Sequence, residues 1–167
     1  MIIKDLIEEI KNGRLDDVFK KIYRSVDIEN QKVRYINAAE KFKALYPNRE
    51  EIYIYSAPGR TEIGGNHTDH QHGCVLAATV DLDVIAVVAF HNEGVIRVQS
   101  AGYPQNHVDL NDLSVQKKET GSSSALIRGI ASGFHEMGVK ISGFDAYTTS
   151  DVLSGSGLSS SAAFEVL

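Results

Sequence analysis

The 167-residue sequence holds one cysteine, Cys74, so no intrachain disulfide is available to it. A chain of this kind fits a reducing compartment, with the cytoplasm as the simplest reading. Basic residues are in the minority as well: 17 Lys and Arg against 22 Asp and Glu give a formal charge of −5. That balance offers no cationic footprint for a phosphodiester backbone, and a nucleic-acid partner is not expected. Long apolar runs are also missing. The opening MIIKDLIEEIKNGR interrupts its apolar positions with Lys4, Asp5, Glu8 and Glu9, unlike the unbroken stretch of a signal peptide. No window approaches the roughly twenty apolar residues that span a bilayer, so a membrane is not an expected partner. Internal repeats are absent, and the serine runs at 122–124 and 159–161 are too short to count as low complexity.

What is present is the composition of an ordinary globular chain, 43% apolar and 23% charged, long enough for one main folding unit. Ile3, Leu6, Ile7 and Ile10 repeat at helical spacing, as do Leu15, Val18, Phe19 and Ile22 after the break at Asn12-Gly13. Asp27 is placed to cap a third helix that runs to about Leu45 before Pro47. From Ile52 the pattern turns to strand, which Pro58-Gly59 is expected to break, leaving a loop as far as Gly73. Residues 84–91 and 94–100, with His91-Asn92-Glu93-Gly94 between them, predict a β-hairpin. A helix is predicted over Ser122–Met137 with Gly138 as its stop, then a strand over 143–150, a Gly/Ser loop, and a helix opening at Ala162. The chain stops inside this last helix, and the natural protein is expected to continue.

Two segments carry chemistry. In Ser154-Gly155-Ser156-Gly157-Leu158-Ser159-Ser160-Ser161-Ala162-Ala163, glycines allow close backbone approach and the unpaired N–H groups of a helix start favour an anion, phosphate being the usual one. Serine hydroxyls add neutral donors, and one can serve Mg²⁺ as a hard oxygen ligand. The lysine of a Walker A loop is absent, and a flexible linker is the plain alternative. In Ser56-Ala57-Pro58-Gly59-Arg60-Thr61-Glu62-Ile63-Gly64-Gly65-Asn66-His67-Thr68-Asp69-His70, a strand delivers Arg60, Asn66, His67 and Asp69 close together. A carboxylate such as Asp69 accepts from two neighbouring hydroxyls, and amide and imidazole groups supply mixed donors and acceptors, so the set suits a polyhydroxylated ligand. A metal site built on His67, Asp69, His70 and His72, or a solvated loop with no ligand, are the competing readings of the same residues.

Together, APGRTEIGGNHTD and LSGSGLSSSA resemble the signatures of the galactokinase branch of the GHMP kinase family, in the family's order and about ninety residues apart. The resemblance runs from about Ile52 to the end. It implies an α+β fold, the GHMP kinase N-terminal domain, with a mixed sheet like that of ribosomal protein S5 domain 2. On that reading 1–50 is an N-terminal helical segment and 51–167 an incomplete GHMP domain, the catalytic aspartate and C-terminal domain lying beyond Leu167. It further implies ATP and Mg²⁺ as cofactors and phosphorylation of a sugar's anomeric hydroxyl, with the isolated chain inactive. Arg60 matches the residue that stabilises the transition state, while Asp69 and His67 match sugar contacts. Asn66 stands where a sugar-binding glutamate is usual. Gly155, Ser156, Gly157, Leu158, Ser159, Ser160 and Ser161 match the nucleotide-phosphate loop, Ser161 being the Mg²⁺ ligand. Asn66, Glu62 and Leu153 depart from the family pattern. They keep open another aldose such as arabinose, or a non-catalytic galactose/ATP sensor, beside galactose phosphorylation.

Overall fold

The computed structural model describes residues 1–24, 27–65, 68–152 and 157–167. The predicted N-terminal helices are α1 (Ile3–Lys11), α2 (Asp16–Ile22) and α3 (Ile28–Leu45). Asp27 caps α3 by accepting from the Glu29 amide, 3.0 Å away. Helix α1 buries Ile3, Leu6 and Ile10, as its spacing predicts. On α2 only Phe19 is buried, and Val18 and Ile22 lie exposed.

Five strands form one sheet: β1 (Tyr53–Gly64), β2 (Leu76–His91), β3 (Val95–Ser100), β4 (Asn106–Asp109) and β5 (Gly143–Ser150). Their order is β1-β2-β5-β3-β4, antiparallel throughout except for the parallel pair β3/β5. Helix α4 (Ser123–Glu136) precedes β5, and α5 (Ser160–Val166) follows it. Ser122 caps α4 through its hydroxyl, and Gly138 takes φ 76° just past the helix end.

Residues 83–89 of β2 are buried without a break because both sheet faces are covered there. Ile85, Val87 and Ala89 pack with α1, α2 and α3, whereas Ala86 and Val88 face Ala131 of α4 and Ile96, Val98, Val108 and Ala146 of the sheet. Such a strand shows a continuous apolar run instead of alternation.

Two expectations are corrected. Pro58-Gly59 does not end β1, which continues to Gly64, so the predicted loop is shorter. β1 is an edge strand, and the register jumps from Pro58↔Asp83 to Arg60↔Thr79, leaving Val80, Asp81 and Leu82 bulged on β2. Edge position and bulge are the two settings in which a strand tolerates proline. Nor do β2 and β3 form a hairpin: β5 lies between them and pairs with both. Gly143 makes this insertion possible, since a Cβ there would sit 2.6 Å from the Val95 carbonyl oxygen and 2.7 Å from the His91 ring. No described helix is long and apolar enough to cross a membrane.

Candidate functional site

The bulge in β2 turns the far half of β1 towards α5. Gly59 lies within β1 opposite the bulge, with the Leu158 oxygen, Val152 and Val80 each 3.2 Å from where a Cβ would be, so a side chain there would need these neighbours to shift. One residue on, the Arg60 amide donates to the Leu158 carbonyl at 3.0 Å. The Arg60 guanidinium donates through Nη2 to Ser159 Oγ at 3.2 Å. Arg60 and Ser159, 99 positions apart and one in each motif, are thus in direct contact, and the backbones meet beside them.

The backbone around this contact is unusual. Gly157 has φ 76°, and Ser159, the residue before α5, lies in the left-handed region at φ 58° and ψ 48°. A non-glycine residue there costs about 1–2 kcal/mol, which its surroundings must offset. Leu158 and Ala163 anchor the segment by packing with Val84, Val152, Leu82 and Leu167. Ser160 and Ser161 open α5, with Ser160 half-buried and Ser161 exposed.

The other motif leaves β1 at Gly64 and turns back into β2 at Leu76. Gly65 takes φ 114°, and a Cβ there would lie 2.6 Å from the Cys74 oxygen, so only glycine suits the turn. Thr68 Oγ1 donates to the Gly65 carbonyl at 2.8 Å, and the Gly73 amide closes the loop on the Thr68 carbonyl at 2.8 Å. Asp69, His70 and Gln71 form a single 3-10 turn inside this closed loop.

Of the sequence-predicted site residues, Arg60, Gly157, Leu158, Ser159, Ser160 and Ser161 are brought together at the β1/α5 junction. Asn66, His67, Gly155 and Ser156 lie outside the described residues, as does the side chain of Asp69. Among the described residues no group of three or more His, Cys, Asp or Glu is placed to hold a metal. The hydroxyls of Ser160 and Ser161 suit a hard cation, which takes oxygen ligands.

A second set of residues behind the site was not singled out in the sequence. Asp83, 2% exposed on β2, accepts from Tyr23 Oη at 2.6 Å, from Ser56 Oγ and from Arg34 Nη1 at 2.6 Å. Arg34 Nη2 also donates to the carbonyls of Asp83 at 2.9 Å and Thr149 at 3.1 Å. Burial pushes the Tyr23 hydroxyl far up from its ordinary pKa, and its hydrogen bond to Asp83 adds to the rise. The available signal was Asp83 itself, a carboxylate standing directly before the apolar run Val84–Ala89.

Comparison with known proteins gives this geometry a lineage. Residues 40–90 match the model of the galactokinase galactose-binding signature. The galactokinase of Streptomyces coelicolor is 34% identical over 128 residues, covering 77% of this chain and 33% of that protein. The crystal structure of Lactococcus lactis galactokinase complexed with galactose superposes with a TM-score of 0.71 at 25% identity, over 80% of this chain and 35% of that one. The mevalonate kinase of Methanococcus jannaschii shares the fold, with a TM-score of 0.56 at 17% identity over 70% of this chain and 39% of that one. The chain therefore spans about a third of the length of the relatives it matches. Signature, sequence relatives and α+β fold agree, and over these residues the chain is similar to the N-terminal part of galactokinases, within the GHMP kinase fold.

Proposed function

We propose that this chain supplies the sugar-binding and nucleotide-phosphate half of a galactokinase-like ATP:sugar 1-phosphotransferase, with galactose as the sugar. The observation that carries the reading is the contact of Arg60 with Ser159, which sets the guanidinium against the Gly/Ser segment that follows β5. Phosphoryl transfer depends mainly on positioning and on neutralising charge, and an arginine at the phosphate loop supplies both.

In this reading residues 155–161 receive the nucleotide phosphates, with the backbone opened by glycine and lined by hydroxyls. Ser161 would hold Mg²⁺, which when bound supplies charge neutralisation at the phosphates. Asp69 and His67 bind ring hydroxyls, and Asn66 faces the exocyclic substituent. The anomeric oxygen bonds to the γ-phosphorus as the bond to the bridging oxygen breaks and ADP leaves. The hydroxyl proton passes to the aspartate that the family resemblance places outside this chain. Residues 51–167 form the domain that presents these groups, and 1–50 packs against its sheet.

The test is ATP-dependent phosphorylation of galactose by the complete protein and its Arg60→Met variant. Turnover in the parent and a drop of about a thousandfold in the variant are expected, the scale of losing an electrostatic stabiliser of the transition state. A parent that binds galactose and ATP without turnover would make the protein a sensor. Faster turnover on arabinose than on galactose would reassign the sugar and keep the kinase reading.

A further inference from the structure

Among the described residues the two motif-bearing segments meet through Gly59 and Arg60. Beyond the junction contacts of Gly59 and Arg60, both are tied to Asp83 on the strand between them, β1 through its carboxylate and the end of β5 through its backbone carbonyl. Ser56, four residues before Arg60, donates to Asp83 from β1. At the end of β5, the amide of Asp151 donates to the Asp83 carbonyl at 3.0 Å. The Asp151 carboxylate is held by Arg34 Nη1 at 3.1 Å and by Gln31 Nε2 at 3.1 Å. Arg34 joins these groups to the Asp83 carboxylate and to the Thr149 carbonyl. Helix α3 therefore reaches under the sheet and grips the run-in to each motif, on β1 through Asp83 and on β5 directly.

We propose that Asp83, paired with Arg34, is a positioning residue that fixes Arg60 relative to residues 157–161, so that α3 sets the geometry of the site through the strands that lead into it. The arrangement is built for precision: a buried ion pair is costly to desolvate and contributes little net stability, yet it admits few alternative geometries when all its partners are present. Angular errors at the run-in are magnified at the motif, and small misplacements of charge-neutralising groups lower turnover strongly. The kinetic part of this proposal rests on the kinase reading above, while the structural part does not.

Two variants separate positioning from simple support. Ser56→Ala and Tyr23→Phe each remove one hydrogen bond to the same Asp83 oxygen, but Ser56 ties that oxygen to the motif strand and Tyr23 ties it to α2's end of the helical layer. In the complete protein, hydrogen–deuterium exchange of the Arg60 amide is followed together with kcat and KM for galactose. Ser56→Ala should speed that exchange roughly tenfold or more, the factor a hydrogen bond to a charged group is worth. It should also lower kcat roughly tenfold while KM moves less than about twofold. Tyr23→Phe should lower the unfolding midpoint and leave Arg60 exchange and kcat at parent values. Ser56→Thr, which keeps the donor, should behave as the parent, and it answers the question if Ser56→Ala does not fold. Equal effects of Ser56→Ala and Tyr23→Phe on Arg60 exchange would overturn the proposal, as would a Ser56→Thr variant with fast exchange. A parent without galactose phosphorylation would remove the kinase reading, and the exchange comparison would still decide the role of Asp83.

Discussion

Two buried aspartates stand at opposite ends of the sheet on the face covered by α1, α2 and α3. Asp83 is 2% exposed and Asp145 1% exposed. Asp145 pairs with Ala89, and from position 83 to position 89 strand β2 runs roughly 20 Å. Asp83 is held by one arginine and two hydroxyls. Asp145 is held by two arginines, Arg49 Nε at 2.7 Å and Arg97 Nη1 at 2.9 Å, with His91 Nε2 at 3.3 Å. Glu93 completes that far cluster, contacting Arg49 and, at 2.8 Å, Arg97. Burial pushes the Asp145 carboxyl up, but the hydrogen bonds from Arg49 and Arg97 outweigh it and hold the group below its usual range. The far cluster neutralises charge with charge and ties Arg49, together with Arg97 of β3, to Asp145 of β5 and to the turn at Glu93. The near one shares its carboxylate among Arg34 of α3, the Tyr23 hydroxyl at the end of α2 and the Ser56 hydroxyl on the strand that leads into the first motif. Similar burial thus serves cross-linking at one end and alignment at the other.

The sharpest way to break this contrast is Asp145→Asn. Two arginines would lose their buried counter-charge, and breaking such a cluster costs about 3–5 kcal/mol. Urea unfolding of the complete protein should show that loss, with galactose turnover at saturating substrate within about twofold of the parent. A turnover loss matching that of Ser56→Ala would erase the functional difference between the two ends.

Gly143→Ala comes next. Its Cβ would meet the Val95 backbone and the His91 ring where the β2–β3 turn crosses over the start of β5, and overpacking of this kind costs about 1–3 kcal/mol. The same residue shows why parts of the fold were hidden in the sequence. The helices were legible because α1, α3 and α4 carry local signals: apolar spacing, the Asp27 cap, and Gly138. The paired strands were not, because nothing within residues 84–100 records that a strand from 143–150 enters between them. That pairing is a long-range fact whose only local trace is a glycine at 143. Proline at 58 misled for a related reason, since its effect depends on whether the strand lies at an edge, which the sheet order decides. The site was legible where it rests on residue type, as in Arg60 and the Gly/Ser segment. It was opaque where it rests on the bulge at 80–82 and on Asp83, whose partners come from four separate stretches of chain.

The far cluster also sets a dependence on pH. Hydrogen bonds from Arg49 and Arg97 hold Glu93 down at about 2, and Asp145 is likewise lowered. Both carboxyls are more acidic folded than unfolded, so their contribution is complete above the unfolded carboxylate range. It is lost as pH falls from roughly 4.5 towards 2. Arg97→Met removes a shared cause of both shifts. Its unfolding free energy should vary less steeply between pH 5 and 2.5 than the parent's, by on the order of one proton. An unchanged slope would mean that Arg97 does not govern these carboxyls.

The smallest effect expected separates the two ends by strain. Among the described residues the non-glycine positions with positive φ are His72 at 63°, just after the first motif, and Ser159 at 58°, within the second. At the far end the turn before β3 uses Gly94, at φ 69°, for the same conformation. Ser159→Gly should relieve the left-handed penalty but also loosen the unfolded chain, leaving stability unchanged or raised by less than about 1 kcal/mol. It also deletes the hydroxyl that accepts from Arg60, so turnover of the complete protein should fall about three- to tenfold, the range for one modest hydrogen bond. Gly94→Ala should do the reverse, costing about 1–2 kcal/mol of stability without touching turnover. The pair is read by urea unfolding and steady-state kinetics on the same preparations. If Ser159→Gly keeps full turnover, the Arg60–Ser159 contact is not used in the reaction, and the left-handed serine is then strain without a purpose at the site.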